Sequence, residues 1–216
     1  MVVNEQSDHG AQPGFGFVGG ALALDFVNTA SQRVDGPFKE KLVDYSELVR
    51  FAEEADAIDE SGGQVLLGLA GTNARRATAV VEDARKLREA IYRTFSALGR
   101  GDEADAADLE TISRHYADAV AHQRLANTAD GIQFAWPDPP ISLEQVLWSV
   151  AVSATELLVS DDVARVKECA TDNCNWLFLD SSKNKSRRWC EMRECGNRAK
   201  ARRHYARKKG AAQSPD

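Results

Sequence analysis

Cys169-Ala-Thr-Asp-Asn-Cys174-Asn-Trp-Leu-Phe-Leu-Asp180, followed by Arg187-Arg-Trp-Cys190-Glu-Met-Arg-Glu-Cys195-Gly-Asn-Arg198, decides how the C-terminal part of this chain folds. All 4 cysteines of the 216 residues lie here, as two C-x4-C pairs with 15 residues between them. Residues 1–14 are polar and lack the basic and apolar regions of an export signal. A cytoplasmic location is therefore expected, where thiols stay reduced. Four clustered thiols then read as metal ligands; the alternatives are two disulfides or four unrelated thiols.

A metal also answers a folding problem. The segment 165–209 has too much charge and too little apolar surface to fold unaided. Four thiolates around Zn2+ form a closed tetrahedral site whose binding drives folding. One Zn2+ per chain is expected, on Cys169, Cys174, Cys190 and Cys195. Four sulfur ligands leave no position for a reactive water, so the site is structural rather than catalytic. Arg165–Cys169 suits a strand, Trp176–Leu179 a second one, and Ser181–Ser186 a turn leading to Arg187–Trp189. A helix is expected from about Glu194, and Trp176, Phe178 and Trp189 supply a small core. Knuckle, hairpin and helix are the layout of a treble-clef zinc finger.

Charge divides the chain at the same place. Residues 1–164 carry 13 Lys and Arg against 27 Asp and Glu, whereas residues 165–209 carry 14 against 5. An acidic body with a basic end points to a polyanion partner for that end. With Cys195 on the metal side of the helix, Lys200, His204, Arg207 and Lys208 form the opposite stripe. Arg202 and Arg203 add charge on the same helix, and Arg187 and Arg188, with Lys183 and Lys185, lie in reach of flanking phosphates. Arg198, at the helix start, suits either a phosphate or an ion pair with Asp180. Double-stranded DNA is the expected partner. The alternative is a zinc-stabilised protein- or RNA-interaction module without sequence-specific DNA binding, with Tyr205 as the base-stacking candidate.

The body reads as helices plus a small antiparallel sheet. Residues 15–18 suit a short strand ended by Gly19-Gly20, and periodicity leaves 21–29 open between a buried helix and a strand. Asp44 and Glu47 mark a helix start. Residues 62–71 suit a short helix, and a long one follows with Val80, Ala84, Leu87, Ile91, Phe95 and Leu98 inward, ended by Gly99 and Gly101. Another is expected over about 105–123 with Leu109, Ile112, Tyr116 and Val120 inward. Residues 124–136 predict a hairpin with an Asp130-Gly131 turn. Ser142 and Gln145 predict a capping box for a last helix through Leu158. The fold class is thus α+β: a mainly helical N-terminal domain (15–162) with a small antiparallel sheet, then a small treble-clef zinc finger (165–209).

These residues carry a family resemblance. Cys195-Gly196-Asn197-Arg198 matches the signature of the CGNR zinc-finger family, and the flanking Cys174-Asn-Trp-Leu-Phe-Leu-Asp180 and Arg187-Arg-Trp-Cys190-Glu-Met192 resemble it too. Leu24-Asp25-Phe-Val-Asn28-Thr29 and Leu87-Arg88-Glu-Ala-Ile91 are similar to the ABATE domain that precedes such fingers in bacterial proteins. The resemblance covers about residues 15–209. It implies a ligand-sensing domain followed by a treble-clef finger, in a stress-responsive transcription regulator.

Asp25, Asn28 and Thr29, at i, i+3 and i+4, and Arg88 amid apolar neighbours, suggest a pocket for a small polar effector walled by Trp136 and Trp148. The competing reading is a satisfied buried network with Asp25 paired to Arg88. No Gly-rich phosphate loop, G-x-S-x-G or H-E-x-x-H occurs, so no enzyme is expected. His115 and His122 share a helix face without a clustered partner. The apolar runs 65–69 and 146–154 are too short to span a membrane. A homodimer is a further expectation, because one finger alone specifies little DNA.

Overall fold

Four short polar side chains start four helices. In the computed structural model, which describes residues 14–33, 37–128 and 131–211, Asp44 accepts a hydrogen bond from the Glu47 amide (3.0 Å) and opens α2 (Tyr45–Glu54). Asp59 does the same for α3 (Glu60–Thr72), Asn73 for α4 (Ala74–Arg100) and Asp105 for α5 (Ala106–His122). Each satisfies an amide that the first turn leaves unpaired. Gly101, at φ 82°, closes α4 in the left-handed conformation that glycine adopts at least cost.

The segment that periodicity left open is helical: α1 spans Leu22–Val27, with Ala23, Leu24, Phe26 and Val27 buried. The apolar faces of α1, α2, α4 and α6 (Trp148–Val159) meet in one core, with α4 as its spine. The two-residue strands β1 (Ala30–Ser31) and β2 (Lys39–Glu40) pair antiparallel beside it. The predicted hairpin is present as β3 (Arg124–Thr128) and β4 (Gly131–Ala135). Residues 1–13 and 129–130, the latter including Asp130 of the expected turn, lie outside the described residues.

Several local expectations are corrected. Residues 14–18 form no strand; they run as an extended strap beside the finger. The inward face of α5 is rotated: Asp108, Ile112 and Ala119 are buried, whereas Leu109 stays exposed. Asp108, on the buried face, accepts from Arg93 Nε of α4 at 2.8 Å. Ser142 makes no side-chain cap; Leu143–Leu147 is a 3-10 turn held by Gln145, which accepts from the Ile141 amide and donates to the Pro137 carbonyl.

The finger does not sit apart from the body. Its strands β5 (Val166–Glu168) and β6 (Leu177–Leu179) pair antiparallel, with Lys167 opposite Phe178. Side chains alternate along a strand, so β6 serves two cores. Leu177 and Leu179 pack into the helical core with Val166, and Phe178 points the other way among the cysteines. Asn28, at the end of α1, fastens this joint: its Nδ2 donates to the Leu177 carbonyl and its Oδ1 accepts from the Leu177 amide, both at 2.9 Å. The strap adds a third line, with the Leu179 amide donating to the Gly19 carbonyl at 2.7 Å. A Cβ on Gly19 would come within 2.9 Å of the Asp25 amide nitrogen, so only glycine lets the strap lie this close. Asn28→Ala strands two buried backbone groups and is expected to cost about 2–4 kcal/mol; a denaturation midpoint within error of wild type refutes this.

Candidate metal centre and basic helix

The four cysteines come from two turns. The first pair brackets a tight loop after β5, in which Asn173 (φ 62°) and Asn175 (φ 58°) take left-handed conformations that asparagine tolerates. The loop closes through the Cys174 amide on the Thr171 carbonyl and the Cys169 amide on the Trp176 carbonyl. Cys190 lies just before, and Cys195 within, one π-helical turn, Met192–Gly196, which runs into α7 (Asn197–Ala211). Asn197 buttresses that turn by donating to the Arg193 carbonyl at 2.7 Å, and Thr171 Oγ1 donates to the Cys195 carbonyl at 3.1 Å, joining the two halves.

All four sulfurs lie within 4.8 Å of one another and all four residues are buried. Cys190 and Cys195 are 3.5 Å apart; Cys174 is 3.7 Å from each. A tetrahedral site with arms of about 2.3 Å has sulfur–sulfur edges of about 3.8 Å. A disulfide needs about 2.0 Å, and all four thiols are free. The donor set and its size therefore fit zinc. Without metal, hydrogen bonds from Cys174 and Cys190 push the Cys169 thiol well down. The same contacts push Cys174 up to about 12 and Cys190 higher still. So many anionic sulfurs cannot share the space unaided, and metal binding must release protons. Arg198 Nη2 donates to Cys195 Sγ at 3.0 Å, placing a positive charge against a ligand. Asp180 is not its partner; that carboxylate is taken by other donors.

Asp180, fully buried, is the polar hub of the finger. It accepts from Lys167 Nζ (2.6 Å), from the Ser182 hydroxyl and amide, and from the Arg187 amide. These donors hold its carboxyl well below the usual range, the Lys167 ammonium most of all. Residues 187–189 form no strand with β6, because β5 takes one edge of β6 and the Asn28 side chain and Gly19 carbonyl take the other. Asp180 and the bond from the Ala170 amide to the Arg188 carbonyl hold this segment. Phe178 is the buried centre of the small core, with Trp176, Trp189 and Val18 of the strap around it.

The basic side chains divide into two groups. Arg187 is half-buried: Nε donates to the Trp189 carbonyl, Nη2 to those of Val18 and Cys190, and the guanidinium lies over the Phe178 ring at 4.4 Å. Its Nε and Nη2 are thus engaged by the finger and the strap. Arg188, Lys200, Arg202, Arg203, His204 and Lys208 are exposed, as are Lys183 and Lys185 in the preceding turn. Arg202 meets Asp172 at 2.7 Å in an open ion pair. The side chain of Arg207, expected on the same stripe, lies outside the described residues.

Asp25, Asn28, Thr29 and Arg88 do not gather into a pocket. Arg88 is buried and grips Glu40 with both terminal nitrogens (2.6 and 2.7 Å), Glu89 through Nε (2.9 Å) and Thr29 Oγ1 (3.2 Å). Asp25 turns the other way to accept from the Gly19 amide at 2.7 Å; burial pushes its carboxyl up to about 6. The satisfied network is thus present, with Glu40 and Glu89 in place of Asp25. Trp148 and Trp136 lie elsewhere: Trp148 stacks on His122 at 4.4 Å and donates to Asp118, and Trp136 donates to the Ala119 carbonyl. His115 instead meets Asp83 at 3.3 Å. Sequence reasoning missed Asn28 as the joint to the finger and Glu40 as the Arg88 partner. A lone amide in an apolar run is the only signal the first left.

No helix among the described residues is long and apolar enough to cross a membrane. A search of curated proteins finds no match. Family models match two segments: residues 20–161 match ABATE, described as a putative stress-induced transcription regulator, and residues 165–208 match the CGNR zinc finger. With four buried, mutually close thiols in the second segment and most of the chain in the first, the protein belongs to the ABATE family and carries a CGNR zinc finger at residues 165–208.

Proposed function

We propose that this protein is a cytoplasmic DNA-binding transcription regulator. Its finger holds one Zn2+ on Cys169, Cys174, Cys190 and Cys195 and presents α7 to double-stranded DNA, while the N-terminal domain receives an effector or partner. It performs no chemistry of its own. Bound zinc cross-links the two turns and so sets the direction in which α7 leaves the finger.

One observation carries this reading. After Ala199, every described side chain of α7 is exposed, Tyr205 by 72%. The helix has no apolar stripe for the body to cover, so packing does not account for its length. Lys200, Arg203, His204 and Lys208 line an open cationic rod of the width that enters a major groove. Arg188, Lys183 and Lys185 extend the charge at its base. Arg202 and Arg198 are partly engaged, with Asp172 and Cys195. A homodimer would present two such helices to a two-fold site.

Zinc-loaded protein on random duplexes at two salt concentrations tests the proposal. Six to eight phosphate contacts give a log–log salt slope of about −5 to −7. Lys200→Ala or Arg203→Ala is expected to make the slope shallower by about 1 with zinc content unchanged. Absence of salt-dependent binding by fully metallated protein overturns the reading.

A further inference from the structure

A second feature lies where the last turn of α4 meets the finger. There, Phe95, Ser96, Gly99 and Arg100 face Lys167, Glu168 and the segment 187–188 across a cavity of about 360 Å3. That volume suits a small organic molecule. Its apolar lining includes the buried Phe95 and the exposed Ala170. Its rim holds four cationic side chains, from Arg100, Lys167, Arg187 and Arg188, against the single carboxylate of Glu168.

Two of the cations are already engaged, Lys167 by Asp180 and Arg187 by backbone carbonyls. The other two are available. Arg188 is exposed and lies only over the Trp189 ring, at 5.8 Å, and Arg100 makes one open contact with Asp102 at 3.1 Å. On the same wall lies the buried Ser96 hydroxyl, next to the Tyr92 phenol one turn before it. Gly99 is the fourth sign. It sits inside the last turn of a helix, where glycine is costly relative to alanine. A Cβ there would meet only the Val166 carbonyl oxygen, at an ordinary 3.5 Å. Packing does not require glycine at this point, and its absent side chain keeps the cavity open.

The geometry points to a binding site for a small organic anion, a phosphate monoester or carboxylate with a compact apolar body. The apolar part lies on Phe95 and Gly99, and the anion meets Arg188 and Arg100. The site joins α4 to the finger, so its occupant contacts both at once. The site stands independently of DNA binding. A regulatory consequence rests on the DNA reading: an anion that engages Arg188 withdraws it from the nucleic-acid surface, so occupancy weakens DNA binding.

Thermal denaturation of the zinc-loaded full chain with phenyl phosphate, at constant ionic strength, tests the site. A saturable rise of about 2–4 °C is expected, with none from benzyl alcohol. Arg188→Gln and Arg100→Gln reduce the response. Gly99→Leu, which fills the cavity but keeps every charge, abolishes it while zinc content and the ligand-free melting temperature hold. An equal response to inorganic phosphate alone, or a full response in Gly99→Leu, overturns the assignment. In a parallel arm the same protein is titrated with a short duplex. If the duplex binds and phenyl phosphate gives no shift, these cations serve the DNA backbone and the anion site falls. If phenyl phosphate shifts the melt and no duplex binds, the site stands and the DNA reading falls.

Discussion

Removing zinc is expected to unfold the finger and to lower the melting temperature of the helical body by about 10–20 °C. Structural zinc contributes about 10–16 kcal/mol in isolated finger peptides, so residues 165–196 have little else to hold them. The effect spreads because β6 belongs to two cores. When the knuckle opens, Val166, Leu177 and Leu179 lose the backbone that presents them to α1 and α4. Three such side chains contribute about 1.5–3 kcal/mol each. At about 2–4 °C per kcal/mol for a chain of this size, the body registers the loss directly. Cys174→Ser should reproduce it without a chelator. Calorimetry before and after chelation checks this, and a body transition that stays where it was would refute the shared core. Acid should act in the same direction, since protons compete with the metal for all four thiolates.

Replacing Arg88 should rank next. Its side chain is 1% exposed and joins α4 to Glu40 of β2 and to Thr29 beyond α1. In Arg88→Ala, Glu40 loses both of its bonds from Arg88, Glu89 keeps only Arg33, and a large side chain leaves a void. Breaking one side of a buried pair typically costs about 3–5 kcal/mol. Arg88→Met retains most of the volume and removes only the charge, so it is expected to lose less. Urea denaturation midpoints for the two variants separate these contributions. A loss below about 1 kcal/mol in Arg88→Ala would mean that the network is idle. DNA binding per folded molecule should be unchanged in both, because Arg88 lies within the helical body.

Much of the functional centre was legible because its chemistry is local. Ligand spacing is set over five or six residues, and C-x4-C twice in 27 residues has few other uses. Asp44 was readable as a helix start, and the start near Asp105 nearly so, since a cap acts on the next turn alone; Asp59 and Asn73 emerge as caps only in the structure. Where the reading slipped, the cause was a partner distant in sequence. On α5, Asp108 lies on the buried face, paired with Arg93 of α4, and Leu109 is exposed. Residues 187–189 are not a strand because β5 and, on the other edge, Asn28 and Gly19 take the bonds of β6.

By itself, then, the amino-acid order determined the cluster of four cysteines, most of the longer helices, and the concentration of positive charge at one end. Tertiary structure alone decided that Asn28 bonds the Leu177 backbone, that Arg88 meets Glu40 rather than Asp25, and that Arg187 donates to the carbonyls of Val18, Trp189 and Cys190. It also decided that a cavity opens beside Gly99. Each of these depends on which distant groups compete for one donor or one face, and that competition is settled only when α1, α4 and β6 are packed together.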